Sequence, residues 1–430
     1  MNGVKRVLVM LLCVTMVMGG ITGCSKESGK GEESTTNDSG NEKAFSTEFW
    51  LDKMADQTIG DKITAAWKVD AGGDVKMVNY PDVAAYQTSI QQSIDDPSAP
   101  GLFTWWSGPQ LETLAKNGKL VDLTAEWDTY IAEGVAPDIK EAFTIDGKVY
   151  AAPYSILYNT ILFNKEIFEK AGITENPKTF DEFLDDCEKI KAIGVTPIGL
   201  KNDSWASFIW FQQLIAAYDS QLYIDICNGT KDYTDDDVKK VMGIWKDMFD
   251  KGYFGKPVLY SDLYKEVATG ISAMMLEASP TANTMVNEYG MVAGETVDAF
   301  VVPSMSGGKN TIFFEASPIC VSASSKDKDA ALEALRGFYK KGTQNVMVTE
   351  CGIANTSKVT VEDKTIQNIL ALTADSTNYQ LILRYYENTP EEIRNYAIDE
   401  LARFMYSGAD IDEVLNNIQT KADTVWASQK

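Results

Sequence analysis

Val75-Lys76-Met77-Val78-Asn79-Tyr80-Pro81-Asp82-Val83-Ala84-Ala85-Tyr86-Gln87-Thr88-Ser89-Ile90-Gln91-Gln92-Ser93-Ile94 decides the fold class. Its first six residues carry a strand pattern that stops at Pro81, because proline cannot continue a hydrogen-bonded ladder. Over 83–94 the apolar positions return at helical spacing instead. Upstream, 45–51 reads as another strand. Downstream, 102–106 is a strand and 109–116 a helix opened by Pro109 in its first turn. This alternation argues for an α/β sandwich with a largely parallel sheet.

The alternation continues along the chain. Ile145-Asp146-Gly147-Lys148 carries the Asp-Gly signal of a type I′ hairpin turn, and a long apolar strand over 155–163 follows. The spacing predicts helices over 180–193, with Thr179 as N-cap, over 204–218 and over 235–251. Strands are expected over 196–200, 271–276, 297–302, 311–314 and 319–322. From Lys326 onward the pattern is mostly helical, including 391–406 and 411–425.

The N-terminus has a different character. Lys5 and Arg6 precede an apolar run over 7–18, and small residues lead to Cys24. That order is a secretory signal, and the run is too short for the ~20 apolar residues a membrane span needs. Ile21-Thr22-Gly23-Cys24 resembles the bacterial lipobox. The resemblance implies cleavage after residue 23 and a Cys24 that carries lipid on its thiol and amine, with more than one acyl chain for stable anchoring. The competing reading is a soluble secreted protein with an incidental thiol. Residues 25–43 have no aromatic or branched apolar side chain, so they are expected to form a disordered tether. On a flexible-coil estimate of ~5–6 Å × √n, that tether reaches about 20–25 Å. Folding is expected to start near Ala44, and no later run is long and apolar enough to cross a bilayer.

Composition removes several function classes. The chain of 430 residues has a formal charge of −23, and loss of residues 1–23 takes it to −25. Such acidity suits neither nucleic acid nor an anionic lipid surface. With 0 histidines, Ser-His-Asp and Cys-His nucleophiles and His-rich zinc sites are excluded. Paired-carboxylate hydrolysis survives that test, since it needs only Asp and Glu. Cys187, Cys227, Cys320 and Cys351 form no C-x-x-C pair, which argues against metal or redox use. Cys187 and Cys320 lie in apolar, periodic segments, and no disulfide is expected. No cofactor or metal site is evident. An oxygen-only calcium loop is left open.

Several motifs then fall in a recognisable order. These are Phe103-Thr104-Trp105-Trp106-Ser107-Gly108, Leu114-Ala115-Lys116-Asn117-Gly118-Lys119-Leu120 and Asp146-Gly147-Lys148-Val149-Tyr150-Ala151-Ala152-Pro153-Tyr154. Tyr158-Asn159-Thr160-Ile161-Leu162-Phe163-Asn164-Lys165-Glu166-Ile167-Phe168 follows, then Pro177-Lys178-Thr179-Phe180-Asp181-Glu182, Gly270-Ile271-Ser272-Ala273-Met274-Met275 and Val301-Val302-Pro303. Together they resemble the extracellular solute-binding protein family 1, maltose-binding-protein-like carbohydrate-binding subunits of ABC importers. One departure is that Ala71-Gly72-Gly73 interrupts the long helix the family carries between its first two strands.

The resemblance implies an α/β, two-lobed periplasmic-binding-protein-like fold of type II, with hinge crossovers and ligand in the interlobe cleft. The lobes are expected to be discontinuous, at 44–153 plus about 317–374 and 154–316 plus about 375–430. It also implies a carbohydrate ligand, an oligosaccharide given the abundant aromatics, together with ABC permease subunits as partners and a monomeric receptor without enzymatic activity. A sugar presents hydroxyl edges and weakly apolar faces, so its cleft needs aromatic platforms beside carboxylates and amides.

Trp105 and Trp106 are the leading platform, because adjacent strand residues point opposite ways and one is then free to face the cleft. Trp205 and Asp203 follow a strand at a helix start, and Glu277 and Glu315 read as loop-borne carboxylates after strand ends. Tyr154 and Asn159 lie beside the expected crossover, and Trp50 and Asp52 end the first strand. Against these stand core roles for the aromatics and capping or solvated roles for the acids. Trp67, Trp127, Trp210, Trp245 and Trp426 are read as structural, and Arg384 as a surface residue. Two other functions fit part of the pattern: an exported hydrolase using Glu277 and Glu315 as a carboxylate pair, and a lipoprotein sensor or adhesin on the same fold.

Overall fold

The computed structural model describes residues 45–52, 56–356 and 358–428. The expected signal at 1–23, Cys24 and the tether to residue 43 lie outside them. The strands are β1 (Ser46–Leu51), β2 (Asp74–Asn79), β3 (Leu102–Thr104), β4 (Thr144–Ile145), β5 (Lys148–Val149), β6 (Ala152–Asn164), β7 (Thr196–Lys201), β8 (Phe254–Val258), β9 (Ser272–Ala278), β10 (Val297–Phe300), β11 (Asn310–Val321) and β12 (Tyr379–Leu383). One mixed sheet runs in the order β2-β1-β3-β11-β6-β9-β7-β8, with β10 added to β6 and β12 to β11. Among the described residues no helix is long and apolar enough to cross a membrane.

The sheet is less parallel than the sequence suggests. β1 pairs parallel with β2 and β3, β7 with β8 and β9, and β11 with β12. The long strands β6 and β11 instead run antiparallel to each other, and β6 is antiparallel to β9 and β10. A parallel neighbour needs a crossover connection. β6 is reached from the β4–β5 hairpin and β11 from β10 through the loop 301–309, with no helix between. The expected strands at 311–314 and 319–322 are one strand, β11, whose register shifts between Ser317 and Pro318. Proline in the sequence reads as a break, and here the strand absorbs it as an irregularity.

Local signals explain the element ends. Asp146 has φ 51° and Gly147 φ 79°, the two positive values a type I′ turn demands. Thr179 and Glu182 form a reciprocal capping box at the start of the Phe180–Ala192 helix. Gly72 does not interrupt the Gln57–Ala71 helix; at φ 74° it closes that helix in a left-handed cap.

The buried apolar side chains form two hydrophobic cores. The first holds Phe49, Trp67, Phe103, Trp127, Tyr154 and Phe338. The second holds Phe163, Trp210, Phe211, Trp245 and Phe404. Trp67, Trp127, Trp210 and Trp245 thus take the core places expected, and Trp426 packs half-buried on the second core. β6 serves both, with Tyr154, Ile156 and Tyr158 in the first core and Ile161 and Phe163 in the second. Leu263, Val267, Ala282 and Met285 join the first core, so packing does not follow the expected lobe boundaries throughout.

Cys187, Cys227, Cys320 and Cys351 are all free thiols. Burial pushes Cys227 up to about 12 and Cys351 up to about 11, and raises Cys187 and Cys320 further. The thiolate is the reactive form. Iodoacetamide at mildly alkaline pH is therefore expected to modify Cys351 slowly and the other three only after unfolding, as read by peptide mass mapping. Rapid native labelling of Cys187 or Cys320 would contradict this packing.

Candidate functional site

The carboxyl ends of parallel strands are where open α/β sheets gather polar groups. β7 ends at Lys201, and its pairing with β9 matches Ile198 to Met274, which carries the next turns of both strands to Lys201 and Glu277. The Lys201 ammonium lies 2.8 Å from Glu277 Oε1 and 3.9 Å from Asp203 Oδ2. Burial opposes the Lys201 charge, but Glu277 and Asp203 outweigh it and hold the ammonium above its ordinary range. Thr160, opposite Glu277 on β6, has a buried hydroxyl without a hydrogen-bond partner among the described residues.

A second charged group sits at the end of β12. Arg384 holds Glu387 with two bonds of 2.7 Å, from Nε and Nη2, and reaches Glu315 through Nη1 at 2.7 Å. Ser317 Oγ donates to Glu315 Oε1 at 3.0 Å. The guanidinium lies 5.4 Å from the Trp205 ring and 5.7 Å from that of Tyr386, and those two rings stack at 4.6 Å with an angle of 24°. Arg394 in turn lies 3.9 Å from the Tyr386 ring. Arg384 also opposes the charge on Lys201, so the two clusters share one field. Together they set two cations against four carboxylates.

The β3 loop adjoins this cluster. Gly108 has φ 74°, and a Cβ there would lie 1.9 Å from the Glu387 carbonyl oxygen, so only glycine permits the approach. Ser107 Oγ donates to the Ala316 carbonyl at 3.2 Å. The loop that carries Trp105 and Trp106 therefore rests on the turn that carries Tyr386 and Glu387.

Individual expectations fare differently. Trp105 and Trp106 do not point opposite ways: β3 ends at Thr104, so both lie in a loop where strand alternation fails, and both are buried. Their rings meet edge-on at 5.1 Å, and the Trp105 indole N–H lacks a hydrogen-bond partner among the described residues. Glu277 and Glu315 are not loop-borne; each sits inside a strand, β9 and β11, where a cation makes the buried carboxylate tolerable. Tyr154 is a buried core residue, 5.6 Å from Phe49 and 5.8 Å from Phe338. Arg384 is not on the surface; it is 9% exposed and the hub of its cluster.

Trp205 opens the Trp205–Tyr218 helix at 40% exposure, and Asp203 caps that helix by accepting from the Ala206 N–H at 3.0 Å. Asn159 is buried on β6 opposite Ala278. Trp50 donates its indole N–H to Glu48 at 2.8 Å, and Asp52 accepts from the Thr104 hydroxyl at 3.0 Å. Lys201, Tyr386 and Glu387 were missed. The sequence signal for them was a polar loop after a strand and an arginine beside two tyrosines.

The geometry suits recognition better than hydrolysis. The proton donor of a carboxylate pair needs surroundings that disfavour its anion. Here Glu277 has a cation at 2.8 Å and Glu315 one at 2.7 Å. A half-exposed indole beside fixed donors and acceptors is instead a surface on which a ring with hydroxyl edges can lie.

Comparison with known proteins adds to this geometry. A family model described as bacterial extracellular solute-binding protein matches residues 62–374. The diacetylchitobiose binding protein DasA of Streptomyces coelicolor is 31% identical over 124 residues, 29% of this chain and 29% of that protein. The sn-glycerol-3-phosphate-binding periplasmic protein UgpB of Brucella abortus is 28% identical over 150 residues, 32% of this chain and 33% of that one. The chain thus matches about a third of the length of each relative. A solved chitin oligosaccharide binding protein superposes with a TM-score of 0.72 at 20% identity, over 89% of this chain and 98% of that one. The apo form of RafE from Streptococcus pneumoniae gives 0.71 at 19% identity, over 89% and 98%. These likenesses establish the fold as the two-lobed type II arrangement, with a cleft between lobes.

Proposed function

Because the chain belongs to the bacterial extracellular solute-binding protein family, we propose that it is the substrate-binding component of an ABC importer that captures a sugar, an oligosaccharide, and delivers it to the membrane permease. The observation that carries this reading is the Trp205 ring, 40% exposed, laid flat on Tyr386 above the buried Arg384–Glu315–Glu387 cluster. It offers an apolar face with hydroxyl-seeking groups at its edge. The names of DasA and of the chitin oligosaccharide binding protein agree with that chemistry.

In this reading 44–153 with about 317–374 forms one lobe and 154–316 with about 375–430 the other. β6 and β11 are the strands that pass between them, and closure brings Trp105 and Trp106 over the ligand. The second hydrophobic core falls wholly within 154–316 and 375–430, which supports the division, while the first draws on both stretches. Lipid on Cys24 keeps the monomeric receptor at the extracytoplasmic face of the cell membrane, where a permease works. Chemical turnover has no place in this cycle.

Isothermal titration calorimetry tests the proposal, with chito-, xylo-, malto- and raffinose-type oligosaccharides and sn-glycerol 3-phosphate as titrants. One of the glycans is expected to bind with an affinity in the micromolar range or tighter. Binding of glycerol phosphate alone would overturn the carbohydrate reading while leaving the family intact.

A further inference from the structure

The two helices that follow β7 and β8 lie on opposite faces of the sheet. Trp205–Tyr218 buries Phe208, Ile209 and Phe211 in the second core, whereas Tyr260–Thr269 sends Leu263 and Val267 into the first. On β7, Ile198 and Leu200 face the second core, and Gly199 faces the other way, where a Cβ would lie 2.3 Å from Leu263 Cδ1. Chains that leave neighbouring parallel strands to opposite faces open a crevice at the strands' carboxyl ends. Lys201 and Glu277 form its floor.

Each wall opens on an exposed aromatic. One is Trp205. The other is Tyr260, the first residue of its helix, which is 63% exposed although flanked by Leu259, itself 57% exposed. Register places it there, since Lys201 pairs with Val258, two residues before Tyr260. Tyr260 is not a loose surface ring. It meets Tyr264, one turn along, edge-on at 5.9 Å; Tyr264 meets Tyr289 at 6.1 Å, and Tyr289 donates its hydroxyl to the Ser261 carbonyl at 3.0 Å. Leu263, the fourth residue of the same helix, packs on Gly199 of β7, two residues before the strand ends at Lys201, so the start of the helix lies at the carboxyl ends of the strands. Tyr260 precedes Leu263 by three residues, about 4.5 Å of helix rise, which puts this exposed ring at the carboxyl end of β7, where Lys201 and Glu277 lie.

We propose that Tyr260 is a second stacking platform of the ligand site, so that the cleft takes a chain of sugar units lying on Trp205 at one end and Tyr260 at the other, across the Lys201–Glu277 pair. This rests on the carbohydrate reading above and adds a length requirement to it. A single ring engages one platform only.

Calorimetry with the N-acetylglucosamine and xylose series, from one unit to six, tests the inference on wild type, Tyr260→Ala, Tyr260→Phe and Trp205→Ala. Wild-type affinity is expected to rise with length, and Tyr260→Ala to lose about 10-fold or more for the longest sugars that bind, from the apolar area withdrawn. For the shortest sugar that binds, the loss is expected to stay below about 2-fold, while Tyr260→Phe keeps wild-type affinity at every length. Circular dichroism melts identical to wild type are expected, given the exposure of the ring. Wild-type binding that Tyr260→Ala leaves unchanged, or weakens equally at all lengths, overturns the second platform alone. Failure of the wild type to bind either series, or any sugar of the wider panel, overturns it together with the carbohydrate reading.

Discussion

Arg384→Met is expected to lower the unfolding free energy by about 3–5 kcal/mol, the range for removing one partner of a buried ion pair. The arginine side chain is 11% exposed and its partners Glu315 and Glu387 13% and 2%, so water reaches none of them well. Three contacts of 2.7 Å disappear at once, and two carboxylates lose the cation set between them. Methionine fills much of the vacated volume, which leaves the charge term as the dominant loss. The triple variant Arg384→Met, Glu315→Gln, Glu387→Gln is expected to recover most of the stability, since neutral amides carry no uncompensated charge. Urea unfolding monitored by tryptophan fluorescence checks both. A loss below about 1 kcal/mol for the single variant would mean that solvent already compensates the carboxylates, as at a surface pair.

That arginine also marks where sequence reading stops. Alternating strands and helices, the Asp146-Gly147 turn and the Thr179–Glu182 capping box are all local chemistry, and each was legible because its partners lie within a few residues. The charged cluster is different. Glu277 in Leu276-Glu277-Ala278 looks like the end of a strand until Lys201 is known to sit against it. Glu315 likewise looks like a break in an apolar run until Arg384 arrives from β12. Burial of a charge depends on a partner that only the tertiary fold supplies. The same reason hid Tyr260, whose neighbours Tyr264 and Tyr289 are brought together by helix packing. For Trp105 and Trp106 the reason is smaller: the strand ends at Thr104, two residues short of the expected 106, and that removes the alternation behind their expected opposite orientation.

Trp205→Ala is expected to weaken binding of the best oligosaccharide by about 70-fold with little change in stability. A sugar laid on one indole face removes roughly 100 Å² of apolar surface from water, worth about 2.5 kcal/mol at ~25 cal/mol/Å². The figure holds only if the ring is already in place, since an indole that had to be ordered on binding would lose part of the gain. It is in place: Tyr386 backs it at 4.6 Å, Arg394 lies 3.9 Å from the Tyr386 ring, and Arg394 Nη1 donates to the Tyr386 carbonyl at 2.8 Å. At 40% exposure the ring contributes little to the core, so the unfolding free energy is expected to shift by about 1 kcal/mol or less. Trp205→Phe keeps a stacking face of smaller area and is expected to lose only about 5-fold. Calorimetry gives the affinities and urea unfolding the stability. Wild-type affinity in Trp205→Ala would remove this ring from the site and move the search to Trp105, whose indole N–H has no partner among the described residues and is then the next candidate donor.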